Sequence, residues 1–119
     1  MEEIDKTVDD KKNYKLLRTF YIAGVQHHQG MKEMASSLVE GQQLVLVMEP
    51  TNRFDPNAIR IEVAKMDGEM TMLGYVPKLF SSEISGAHSI GKSLECVLVK
   101  FTPGAKPWEQ AKVEVREVE

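Results

Sequence analysis

The chain has 119 residues, 42% hydrophobic and 28% charged, which suits one globular domain with a single modest core, and no apolar run approaches the ~20 residues of a membrane-spanning helix. A formal net charge of −3 excludes a uniformly basic nucleic-acid binder, so any polyanion would have to meet a local patch. The single cysteine, Cys96, excludes an intrachain disulfide.

Residues 1–13 are expected to form a flexible acidic N-terminal segment, with the folded domain spanning 14–119. Glu2, Glu3, Asp5, Asp9 and Asp10 stand against Lys6 alone in the first ten residues. Beyond Met1, Ile4 and Val8 are the only aliphatics there, too few to offset the entropy of ordering. The rest of the chain carries 14 Lys and Arg against 13 Asp and Glu, a net of +1. The opening MEEIDKTVDDKKNYK has no apolar stretch of the secretory kind, and a cytoplasmic setting is expected.

KLLRTFYIAGV is rich in β-branched and aromatic residues and predicts a first strand. In HHQGMKEMASSLVEG, Met31, Met34, Ala35 and Leu38 fall at helical spacing, and Gly41 suits the stop of a short helix. QQLVLVMEP predicts a strand with Leu44, Leu46 and Met48 on one face and Val45 and Val47 on the other. TNRFDPN is a dense turn cluster. AIRIEVA alternates, with Ile59, Ile61 and Val63 facing one way and Arg60 and Glu62 the other. KMDGE supplies an Asp-Gly hairpin turn before the strand MTMLGYVP. KLFSSEISGAHSIG has Leu79, Phe80 and Ile84 near helical spacing. SLECVLVKF and AKVEVREV are the last strands, joined by the Pro/Gly loop TPGAKPWEQ, whose Trp108 is expected to anchor the loop against the sheet. The sum is a mainly β fold: a small six-stranded barrel or curled sheet with two short helices.

The motifs of catalysis are missing. GxGxxG, GxxxxGK[ST], CxxC and HExxH do not occur, and Ser81, Ser82 and Ser85 lie in no recognisable nucleophile motif. His27 and His28 are adjacent, which in a strand would aim them at opposite faces, and His88 is remote. No metal and no cofactor is expected, and Cys96, within LECVLVKF, is expected to pack as a small apolar residue. A binding module is therefore expected rather than an enzyme.

Three segments could bind. In TNRFDPNAI, Asn52 and Asp55 are turn formers, and Phe54 between Arg53 and Asp55 either folds onto the core or stands out as a stacking platform. Asp55 would repel phosphate yet could accept a hydrogen bond from a sugar hydroxyl, which suits a strand end better than a continuous backbone. In GVQHHQG, the imidazoles of His27 and His28 can stack or bond beside a helix start that offers free N–H groups. In LGYVPK, Tyr75 sits on a strand with Lys78 just beyond.

Taken together, GVQHHQG, EGQQLVLVMEP, NRFDPNAIRIEV and LGYVPK resemble the HIRAN domain over about residues 16–100. The resemblance implies an OB-like β-barrel with flanking helices and, from its place in eukaryotic DNA-repair translocases, recognition of the 3′ end of single-stranded DNA. By position it implies that Phe54 stacks on the terminal base and Asp55 bonds the terminal hydroxyl, with Asn52 beside them. His27 and His28 match a tyrosine pair, Gln26 an arginine-like position, and Tyr75 and Lys78 a pair contacting base edge and phosphate. The ATPase and RING regions that accompany the domain in large eukaryotic proteins are not in this chain, which implies a free-standing, prokaryotic-type copy. The expected partners are a single-stranded DNA end and protein partners of DNA repair, with no membrane. The alternative is a protein–protein interaction or assembly module without nucleic acid.

Overall fold

Alternation between core and water shapes the strands. In the computed structural model, which describes residues 13–119, Ile59, Ile61 and Val63 of Ile59–Ala64 are buried while Arg60 and Glu62 face the other way. That strand is β3. The others are β1 (Tyr14–Tyr21), β2 (Gln43–Met48), β4 (Met70–Tyr75), β5 (Ser93–Phe101) and β6 (Ala111–Val118). Two helices, α1 (Gln29–Met34) and α2 (Lys78–Ser89), and two 3-10 turns, Val25–His27 and Pro107–Glu109, complete the chain. The expected acidic segment lies almost wholly outside the described residues.

All pairings are antiparallel, in the order β1-β6-β5-β2-β3-β4. The sheet is strongly curled but not closed. β2 and β5 share only the pairs Gln43↔Val97 and Leu44↔Cys96, then part to leave a cleft of about 450 Å³ lined by Leu46, Met48, Leu94 and His88. At the opposite ends, a single bridge, Ala23↔Tyr75, joins the chain after β1 to β4 through two backbone hydrogen bonds of 2.8 and 2.9 Å. The outer edge of β1 carries Lys15 and Arg18 and a bulge between Leu16 and Arg18, features that discourage edge-to-edge pairing.

The core is continuous from the sheet to both helices. Ile22, Ile59, Ile61, Leu73, Ile84, Leu98, Val113 and Val115 are fully enclosed. Met31, Met34 and Leu38 are buried as their spacing predicted, but the helix is shorter than expected. It stops at Met34, where the amides of Ser37 and Leu38 both turn back to the Met34 carbonyl. Ser36 and Ser37 compete for backbone hydrogen bonds and favour such turns. Leu38 still reaches the core, and the Gly41 amide pairs with the Leu98 carbonyl.

Cys96 is buried, and burial pushes its thiol up to about 12, so it packs and does not ionise at neutral pH. Trp108 departs from expectation. It is 58% exposed and does not anchor its loop.

Candidate functional site

The bridge at Ala23 and Tyr75 sets the site, because it lays the segment 24–28 beside the end of β4. Two glycines permit this packing. A Cβ at Gly74 would meet the Ala23 carbonyl oxygen at 2.4 Å, and one at Gly30 would meet the Met72 carbonyl oxygen at 2.0 Å. No side chain fits at either point, so α1 and the 3-10 turn lie directly on β4. His28, extended between the two, brings its ring to 6.0 Å from that of Tyr75, tilted by 52°. His27 ends the 3-10 turn, so the two imidazoles do not alternate across a strand as the sequence suggested.

Tyr75 leads to a carboxylate that the sequence reading passed over. Its hydroxyl donates to Glu49 at 2.9 Å to Oε1 and 3.2 Å to Oε2. Glu49 also accepts from Asn52 Nδ2 at 2.9 Å and from an Arg60 terminal nitrogen at 3.0 Å. Arg60 Nε bonds Glu62 as well. Partial burial raises the Glu49 carboxyl, and the hydrogen bonds from Asn52, Tyr75 and Arg60 outweigh it, so the group lies below the ordinary carboxylate range. Burial, followed by the bond donated to Glu49, raises the Tyr75 phenol above its usual value. Bonds to Glu62 and Glu49 likewise raise Arg60.

From Asn52 the network enters the turn. Asn52 Oδ1 accepts the backbone amides of Phe54 at 2.9 Å and Asp55 at 3.0 Å, an Asx turn. Asp55 Oδ1 accepts the Asn57 amide at 2.9 Å, and its Oδ2 accepts the Ser81 hydroxyl at 2.9 Å. Ser81 is 2% exposed in the first turn of α2, one turn beyond Lys78, whose carbonyl it also approaches. Each Asp55 oxygen keeps a lone pair for a further donor.

Phe54, at the apex, is 83% exposed. Of the two fates open to it in the sequence, it takes the outward one, with Arg53 5.8 Å from its ring. Its own amide and that of Asp55 are held by Asn52 Oδ1 while its ring meets water. An aromatic on a backbone braced this way offers a flat face at a reduced ordering cost on binding.

Four of the eight expected residues, His28, Tyr75, Asn52 and Asp55, therefore lie on one chain of contacts that also takes in Glu49 and Ser81, with Phe54 on its turn and Lys78 at the head of α2. Lys78 is solvent-facing. Gln26 and His27 stand off this line. They join His28 in an adjoining pocket of about 450 Å³ whose opposite wall is Phe101, Pro103, Pro107 and Gln110. The 3-10 turn and the six-residue α1 give this end little helix dipole, so the free N–H groups expected there add little for an anion. Glu49, Arg60, Ser81 and Phe101 were not singled out from sequence as binding residues. Among the described residues, no group of three His, Cys, Asp or Glu side chains is placed to hold a metal ion.

The model of the HIRAN domain matches residues 17–104. The chain belongs to the HIRAN domain family. HIRAN domains are known as DNA-binding modules. Two solved structures share the fold. A Lactobacillus plantarum protein superposes with a TM-score of 0.71 at 17% identity, covering 91% of this chain and 98% of its own. The HIRAN domain of human HLTF gives 0.58 at 14% identity, covering 88% of this chain and 77% of its own. No curated protein sequence matches the chain. At these identities the two structures establish the shared fold of this HIRAN domain. No helix among the described residues is long and apolar enough to cross a membrane.

Proposed function

We propose that this HIRAN domain is a non-catalytic module that binds single-stranded DNA at its 3′ end, in DNA repair or processing in the cytoplasm. The observation that carries the proposal is the continuous line of contacts that fixes Tyr75, Asn52 and Asp55 while leaving the Phe54 ring 83% exposed. Phe54 stacks on the terminal base, a contact worth about 1–3 kcal/mol and tolerant of base identity. Asp55 accepts a hydrogen bond from the terminal hydroxyl. Lys78 pairs with a phosphate, and His27, His28 and Gln26 line the path of the next nucleotide. The two carboxylates, Glu49 and Asp55, disfavour a phosphate at the apex, which suits a hydroxyl end. A duplex would have to unstack before its end could enter.

Fluorescence anisotropy at low salt tests this with three probes: a single strand ending in a 3′ hydroxyl, the same strand ending in a 3′ phosphate, and a duplex. The hydroxyl-ended strand should bind best and the duplex worst. Equal binding of the two single strands would remove the end-reading role of Asp55. Binding to none would move the function to a protein partner.

A further inference from the structure

We propose that the β5–β6 loop is a second stacking platform, with Trp108 and Lys106 receiving nucleotides that continue inward from the bound end. This rests on the single-strand reading above and extends it.

A lone exposed aromatic is ordinary on a protein surface. The place and rigidity of Trp108 are what set it apart. The neighbouring loop residues Pro103, Pro107 and Gln110 form the far wall of the pocket that Gln26, His27 and His28 line on the near side. Trp108 therefore stands at the rim where a strand leaving the histidines would pass. Its loop is braced from within. Gln110 Nε2 donates to the carbonyls of Pro103 and Ala105, each at 3.1 Å, and the Thr102 amide donates to the Gln110 carbonyl at 2.8 Å. Pro107 opens the 3-10 turn that carries the indole. The chain thus braces the loop that carries a large apolar ring and leaves that ring in water, without using it in the core.

The charges around it give an independent argument. Lys106 Nζ lies 5.8 Å from the indole centroid. At the base of the same hairpin, Lys100 and Lys112 are paired directly across β5 and β6. Among the described residues no carboxylate forms an ion pair with any of the three lysines. Like charges directly opposite on a sheet destabilise it, and an anion lying over them relieves the repulsion. The loop itself holds one acid, Glu109, and one lysine, Lys106, and Lys100 and Lys112 flank it on the strands. An aromatic face with Lys106 beside it and two further lysines at the base of its hairpin, Lys112 lying 5.8 Å from the Tyr21 ring, is an arrangement that can track a single strand, with bases stacked and phosphates neutralised.

Trp108 is the only tryptophan in the chain, so intrinsic fluorescence reports on it directly. The test uses oligothymidylates with a free 3′ hydroxyl, a dinucleotide and a decanucleotide. The decanucleotide should quench Trp108 and the dinucleotide should not. Trp108→Ala should weaken decanucleotide binding about tenfold, in the range of a lost base stack, and leave the dinucleotide unchanged. Lys100→Gln with Lys112→Gln should make the salt dependence of decanucleotide binding shallower. Unchanged fluorescence at saturation, together with wild-type affinity in Trp108→Ala, would overturn the platform while the end-binding reading stands. Failure of both oligonucleotides to bind the wild-type chain would overturn both.

Discussion

The two walls of the site are built by opposite means. The turn wall, Asn52 to Asp55, is held by side-chain hydrogen bonds that converge on Glu49 and Ser81. The histidine wall, Gln26 to His28, is held by backbone and by close packing at Gly30 and Gly74, and neither of its helical elements has a side-chain cap. A charged network orients its side chains through directed hydrogen bonds but responds to pH. Close packing is indifferent to pH but fails at a single added methyl group. Phe54 thus presents a preset face, while the imidazoles keep the freedom to adjust to what lies against them.

The largest break should come from the packed wall. Gly30→Ala drives a Cβ into the Met72 carbonyl and should destabilise the domain by about 3 kcal/mol, the upper end for overpacking, measured by urea unfolding. A loss under about 1 kcal/mol would mean that α1 slides freely on β4. Next comes the network. Glu49→Ala leaves Arg60 and the Tyr75 hydroxyl without their shared acceptor and should cost about 2 kcal/mol. The pH dependence should separate the walls further. The folded pKa of Glu49 is depressed, so its contribution is present at neutral pH, above the unfolded value, and is lost as pH falls through the folded one. Glu49→Gln should therefore flatten the acid limb of the stability curve, and an unaltered limb would assign that limb to other carboxylates. The smallest effect on stability belongs to the apex. Phe54→Ala should stay within about 0.5 kcal/mol of wild type in unfolding. It should nevertheless weaken strand binding by about 1–3 kcal/mol. Collapse of the fold in that variant would make Phe54 a structural residue.

The same contrast explains what could be read before the structure was known. β3 was legible because one face meets the core and the other water, so Ile59, Ile61 and Val63 alternate cleanly with Arg60 and Glu62. The end of α1 was not. Buried residues at 31, 34 and 38 fit a continuous helix and a helix followed by a returning turn equally well. Of the site, Asn52, Phe54 and Asp55 stood out because turn chemistry is local. Glu49 and Ser81 did not, since each matters through a partner 26 residues away, Tyr75 for one and Asp55 for the other. Arg60 carried a usable signal, a cation on the outward face of a strand beside Glu62. Trp108 was misjudged because a Pro/Gly loop does not say whether its aromatic faces in or out.

The most direct test is amide chemical-shift mapping of the ¹⁵N-labelled chain with a short single strand ending in a 3′ hydroxyl. The largest shifts should fall at His27, His28, Phe54, Asp55, Tyr75 and Lys78, spanning both walls. Shifts confined to the β2–β5 cleft, or none at saturating strand, would contradict the assignment of this site to a DNA end.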